Sequence, residues 1–222
     1  MKIENTKACV FDAYGTLFDV NSAAEKCKVK LGNKWEGFAN AWRTTQLEYT
    51  WLRSLMKKHK NFWEITEDSL DHTMETFKIK KEMRNELLDL YKKRSPYPEV
   101  ADCLKGLKEK KIKIAILSNG TPDLLKGLVE SNNIKNYFDD IFSIESVGIY
   151  KPNSKVYEMP IKKYNCMPEN ICFMSSNTWD ISGGGVFGYK TVWINRFNKI
   201  FDKLGYKPNF VINNLKELLK II

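Results

Sequence analysis

From residue 100 to the end of the chain, short apolar runs alternate with amphipathic stretches, and this alternation restricts the fold more than any other feature. "IKIAILSN", "DDIFSIES", "NICFMSS", "KTVWI" and the start of "FVINNLKELLKII" read as strands. "VADCLKGLKEKK", "PDLLKGLVESN", "NSKVYEMPIKKYN" and the glycine-rich "WDISGGGVFG" read as the helices between them. Such a chain is expected to form an α/β fold with a doubly wound, mostly parallel sheet. One more strand, "KACVFDA", stands alone near the N-terminus. Between it and the proline-broken "SPYPEV", residues 20–95 carry helical periodicity and no strand signal. The expected organisation is an α/β core made of 1–19 and 96–222, with a helical cap, 20–95, inserted after the first strand. Ligands of such sheets bind outside the carboxyl ends of the strands.

Composition narrows the function. Neither a secretory h-region nor the run of about 18 apolar residues needed for a membrane span is present, so no membrane partner is expected. Five cysteines form no CxxC and only two histidines occur, which predicts a reduced, cytoplasmic, zinc-free protein. The net charge of +9 raises nucleic acid as a partner. However, the lysines are interleaved with glutamates on helix faces, which reads as solvated surface and predicts no nucleic-acid site. A basic surface also attracts small anions.

The expected strand ends carry the chemistry. The first ends at Asp12, with Tyr14-Gly15-Thr16 following. "AILSNG" ends at Ser118-Asn119, just before a proline-initiated helix whose N-terminus suits an anion. "YKPNSKVY" supplies Lys151, with Tyr157 in the next helix, and "FMSSNTWD" supplies Ser175, Ser176, Asn177 and Asp180. Each has an ordinary structural use as turn former, cap or helix-end charge. Their recurrence at successive strand ends favours a site.

These blocks resemble, in order, the four motifs of the haloacid dehalogenase superfamily. Within it, "FDAYGTLFDV", "WRTTQLEYTWLRSL", "LSNG", "YKPNSKVY" and "SSNTWD" are similar to the L-2-haloacid dehalogenases, over nearly the whole chain. The superfamily's phosphatases carry an acid two residues after the nucleophile and a metal-binding acid in the last block. Tyr14 and Ser176 occupy those positions here, so neither metal nor cofactor is expected.

The resemblance implies a Rossmann-like core and hydrolysis of an (S)-2-haloacid to an (R)-2-hydroxyacid and halide. It makes Asp12 the nucleophile that forms an ester, and Arg43, with help from Asn119, the cradle of the departing halide. Thr16 and Lys151 would orient Asp12 and keep it ionised. Ser118 and Asn119 would receive the substrate carboxylate, with Lys151 also touching substrate. Ser175, Tyr157 and Asn177 would hold Asp180 and Lys151, either of which could activate water. Tyr14, Leu47, Phe62 and Trp179 would form the apolar pocket. Thr44 stands where relatives carry glutamine, which bears on substrate range. The expected partner is a small halogenated carboxylic acid, and the resemblance implies a homodimer. Ring opening of a strained 2-carboxylate and a phosphatase are the alternative activities. Trp42, Tyr49 and Trp51 read as cap core or dimer contacts, and the run Gly183-Gly184-Gly185 as close packing at a helix start.

Overall fold

The computed structural model describes residues 2–20 and 25–222. The first part of the expected helix "SAAEKCKVKL" lies outside the described residues; within its remainder Lys28–Leu31 is helical. The sheet contains β1 (Ala8–Phe11), β2 (Lys113–Ser118), β3 (Asp140–Ser143), β4 (Ile171–Ser175), β5 (Lys190–Ile194) and β6 (Phe210–Ile212). Their order is β3-β2-β1-β4-β5-β6, and every neighbouring pair is parallel. β1 and β4 are wholly buried, which explains why their sequences are continuous rather than alternating apolar runs. The chain steps outward from β1 through β2 to β3, then returns to β4 on the other side of β1. That reversal opens a crevice at the carboxyl ends of β1, β2 and β4.

The expected strand "DDIFSIES" stops halfway. The Ser143 hydroxyl accepts from the Glu145 N–H at 3.2 Å, and Ile144–Ser146 turn into a 3-10 helix. That local bond competes with the sheet ladder.

The cap helices are α1 (Trp35–Leu55), α2 (Phe62–Phe77) and α3 (Met83–Lys92). α1 buries Phe38, Ala39, Trp42, Gln46 and Thr50, a stripe at helical spacing that turns polar at its end. α2 begins with a capping box, in which Asn61 and Glu64 satisfy each other's backbone N–H groups. The two chain segments that join cap to core lie side by side: Phe18 bridges Pro96, and the Tyr97 N–H donates to the Leu17 carbonyl at 2.9 Å. A second tether runs from the Phe62 N–H to the Glu145 carboxylate at 3.1 Å. A third runs from the Tyr150 hydroxyl to the Lys60 carbonyl at 2.7 Å.

The remaining core helices that position the site are α4 (Val100–Glu109), α5 (Pro122–Ser131), α6 (Ser154–Tyr164) and α7 (Thr178–Phe187). The glycine run lies in the second half of α7, not at its start as the sequence suggested. Its packing role holds. A Cβ at Gly183 would sit 2.6 Å from both the Pro152 Cβ and the Tyr157 hydroxyl. Alanine would gain about 1 kcal/mol of helix propensity there, but overpacking a rigid ring typically costs about 1–3 kcal/mol. Gly183→Ala is therefore expected to lower the denaturation midpoint. A raised midpoint would show that Pro152 and Tyr157 can yield.

Candidate active site

Asp12 lies one residue beyond β1 and is buried. Its N–H still joins the sheet, donating to the Met174 carbonyl at 2.9 Å. The chain then turns sharply, the Ala13 carbonyl accepting from Leu17 and Phe18, with Gly15 at a φ of 88°. That left-handed backbone favours glycine. The turn returns Thr16 to the carboxylate, where its hydroxyl donates to Asp12 Oδ2 at 3.1 Å. The Ser176 N–H in turn holds the Thr16 hydroxyl at 2.9 Å.

Two further donors complete the shell. Asn177 Nδ2 reaches Asp12 Oδ2 at 2.9 Å and the Tyr14 carbonyl at 3.2 Å. Lys151 Nζ reaches Asp12 Oδ1 at 3.2 Å and Asp180 Oδ2 at 2.8 Å. The Tyr157 hydroxyl donates to Asp180 Oδ1 at 2.7 Å. The result is a continuous chain, Asp12–Lys151–Asp180–Tyr157, in which Lys151 and Asp180 have no exposed side-chain surface.

Three expectations are adjusted. The Asn177 side chain goes to Asp12, and only its backbone carbonyl meets Asp180, accepting from the Asp180 N–H at 3.1 Å. Ser175 touches neither Asp180 nor Lys151; its hydroxyl accepts from the Asn177 N–H at 3.1 Å and so sets the residue that holds the nucleophile. Trp51 is not confined to cap core: its ring meets Trp179 edge to face at 5.4 Å. Both line an apolar groove of about 690 Å³ that also reaches Lys151.

Ser118 and Asn119 stand at the end of β2 as expected. The Ser118 hydroxyl accepts from the Gly120 N–H at 3.1 Å, and Asn119 Oδ1 accepts from the Lys151 N–H at 3.2 Å. The Asn119 bond ties two motif loops together. Tyr14 packs against Phe62 at 5.5 Å and Tyr91 at 5.9 Å, and its buried hydroxyl has no hydrogen-bond partner among the described residues. Leu47 is half-buried on α1, four residues beyond Arg43. Arg43 donates to Gln46 Oε1 at 2.9 Å and feels the Asp12 charge, although burial dominates and lowers its pKa. Arg53 is engaged elsewhere, with Asp68 at 3.2 Å.

Some contributors escaped the sequence reading. Gln46 is fully enclosed and donates to the Thr66 and Tyr91 hydroxyls at 2.6 and 2.9 Å, which fixes the oxygen that receives Arg43. Arg196 pairs with Glu99 and donates to the Thr16 carbonyl at 2.9 Å, bracing the nucleophile loop from behind. Arg196 follows β5 in "INRFN", so strand-end logic could have found it. Gln46 carries no such signal beyond being three residues from Arg43.

With the geometry defined, comparison places the chain among known proteins. Residues 6–188 match the haloacid dehalogenase-like hydrolases. The chain belongs to that family. It is 39% identical over 218 residues to (S)-2-haloacid dehalogenase 1 of Pseudomonas sp. (strain CBS-3), covering 97% of this chain and 96% of the relative. It is 34% identical over 222 residues to haloacetate dehalogenase H-2 of Moraxella sp. (strain B), covering 99% of each. The L-2-haloacid dehalogenase of Xanthobacter autotrophicus, solved with chloropropionic acid covalently bound, superposes with a TM-score of 0.90 at 30% identity and 97% coverage of both chains.

For a haloacid dehalogenase-like hydrolase, the protonation of the buried chain is decisive. Burial opposes the charge on Lys151, but Asp180 and Asp12 outweigh it and raise its pKa above the ordinary lysine range. Burial pushes Asp180 up to about 6, against the pull of Lys151. Lys151 therefore stays cationic, while Asp180 can exchange a proton near neutrality. If Asp180 accepts the proton of the hydrolytic water, its ionised form is the active one. Activity should then rise as pH increases through about 6, leaving roughly a tenth of the plateau at pH 5. Asp180→Asn should abolish the steady state. An acid limb centred near 4, the ordinary carboxylate range, would contradict this assignment.

Proposed function

We propose that this protein hydrolyses (S)-2-haloacids to (R)-2-hydroxyacids and halide through an ester on Asp12. The observation that carries the reading is the shell around Asp12: Thr16, Lys151 and Asn177 all donate to a buried carboxylate and aim it from a strand end. A carboxylate so held can attack carbon and split one displacement into two easier steps. The curated relatives and the covalently occupied structure support the same chemistry.

In the first step an Asp12 oxygen forms a bond to C2 of the acid, opposite the halogen. The carbon–halogen bond breaks, and the halide departs with the electron pair towards Arg43 and Asn119. Charge that develops on the leaving group is stabilised by preplaced donors. Ser118, Asn119 and Lys151 receive the substrate carboxylate, and Tyr14, Leu47, Phe62 and Trp179 surround the side chain. In the second step Asp180 takes a proton from water, which attacks the ester carbonyl carbon of Asp12. The bond between that carbon and the substrate-bearing oxygen breaks, and that oxygen takes the proton from Asp180, freeing the hydroxyacid; the second water proton leaves the regenerated Asp12 carboxyl for solvent. C2 is attacked once, so its configuration inverts. Tyr157 orients Asp180, and Ser175 acts through Asn177.

Mg²⁺, which the superfamily's phosphatases use, fits this donor set poorly. Both Asp12 oxygens already accept from Lys151, Thr16 and Asn177, and Ser176 offers a hydroxyl 3.3 Å from that of Thr16. Octahedral Mg²⁺ favours carboxylates and phosphates. The reading therefore includes a metal-free reaction. It also includes the division into core, 1–19 and 96–222, and cap, 20–95, as well as a cytoplasmic homodimer. The apolar Leu52, Leu55 and Met56, exposed at the end of α1, support self-association.

A halide-release assay tests the reading. (S)-2-Chloropropionate, incubated with protein and excess EDTA, should yield chloride and (R)-lactate, while phosphate monoesters release almost no phosphate. Phosphate release that needs added Mg²⁺, without halide from any haloacid, would replace this reading with a phosphatase.

A further inference from the structure

The buried Phe62 ring lies between two aromatic neighbours that adjoin the reacting groups. The Tyr14 ring, two residues beyond Asp12, is 5.5 Å away, and the Tyr150 ring, immediately before Lys151, is 6.4 Å away. Phe62 is the first residue of α2, so its position depends on how that helix start is held. The capping box serves the N–H groups of Asn61 and Glu64. The Phe62 N–H goes instead to a residue of the core, donating to Glu145 Oε1 at 3.1 Å.

Glu145 is itself fixed from both sides. Its other oxygen, Oε2, lies 2.9 Å from Nε2 of His59, three residues before Phe62. The His59 ring packs against that of Tyr150 at 5.3 Å. On the core side, the Glu145 N–H donates to the Ser143 hydroxyl at 3.2 Å, and that hydroxyl donates to the Gly120 carbonyl at 2.7 Å. Gly120 follows Ser118 and Asn119, which receive the substrate carboxylate in the reaction proposed above. A continuous run of hydrogen bonds thus joins the loop for the carboxylate to the wall for the side chain. The Glu145 carboxylate also faces the positive end of the α2 dipole, which strengthens its hold on the Phe62 N–H. A small 2-haloacid is gripped by loop and wall at once, so their separation governs whether a group on C2 makes contact.

We propose that Glu145 is a positioning residue for substrate selection: it holds Phe62 at a set distance from the Ser118–Gly120 loop and so decides which C2 substituent fits. This role rests on the dehalogenase reading, whereas the hold on Phe62 can be measured without turnover. Glu145 touches no substrate atom and acts through Phe62.

Kinetics with two acids that differ by one methyl group test the role. Glu145→Ala should lower the ratio of kcat/KM for (S)-2-chloropropionate to that for chloroacetate about tenfold, the lower end of what one methylene in an apolar pocket supplies. The loss should lie in KM for chloropropionate, with kcat nearly unchanged, because binding shared by ground and transition states is removed. Glu145→Gln keeps an oxygen for the Phe62 N–H and should restore part of the ratio. Without substrate, hydrogen exchange at the Phe62 amide should be faster in Glu145→Ala than in the wild type, because the first N–H groups of a helix have no partner within it. Should Glu145→Ala fail to fold, Glu145→Ser takes its place. An equal loss on both acids, as a loosened cap would give, overturns the proposal, and so does unchanged exchange at Phe62. A wild-type protein that releases no halide from any haloacid would remove the dehalogenase reading and the selective role with it, while the exchange measurement would still decide whether Glu145 holds Phe62.

Discussion

Everything at this site depends on one ammonium group buried between two carboxylates. Lys151 Nζ lies 3.2 Å from Asp12 and 2.8 Å from Asp180, with no exposed side-chain surface. Burying such charges costs several kcal/mol per ion unless geometry and added hydrogen bonds compensate. Here Thr16, Asn177 and Tyr157 add hydrogen bonds to the same two carboxylates. Removing Lys151 would leave two anions facing one another in a dry site. The same ammonium binds both carboxylates: it holds Asp12 in place and pulls the Asp180 pKa down against burial, which nevertheless leaves that group at about 6.

The fold exists, in effect, to bring those three residues together. Asp12 ends the central strand β1, Asp180 rides on the first turn of α7 beyond β4, and Lys151 hangs on the loop before α6. None is near another in sequence, and all meet at the crevice where the strand order reverses. Close packing maintains the arrangement from behind. Gly183 lets α7 approach Pro152 and Tyr157, and Arg196 with Glu99 braces the Thr16 carbonyl. In the proposed reaction the cap contributes a cation for the leaving group and an apolar wall, through Arg43, Phe62 and the Tyr91 face.

Much of this was legible because strand-end position is a sequence property. Asp12, Ser118, Lys151 and Asp180 each follow an apolar run of strand length, and the resemblance of their flanking residues orders them. What escaped detection depends on helix faces or on packing between distant segments. Gln46 looks like an ordinary polar position on an amphipathic helix, and only the folded cap shows it enclosed beside Arg43. Asn177 was expected to serve Asp180, three residues away, yet its side chain points back across the sheet to Asp12. At this helix start the Asn177 carbonyl accepts from the Asp180 N–H, while its side chain serves the strand-end carboxylate instead. The early end of β3 escaped too, since Ser143 diverts the backbone through a single local bond.

The central claim is that Asp12, not water, attacks the substrate, and isotope placement tests it most directly. In a single turnover with enzyme in excess in ¹⁸O-water, the account predicts unlabelled hydroxyacid, its oxygen donated by Asp12, and one heavy oxygen in the peptide that contains Asp12. Label that appears at once in the hydroxyacid, with none in the peptide, would contradict the ester and with it the role assigned to the buried lysine.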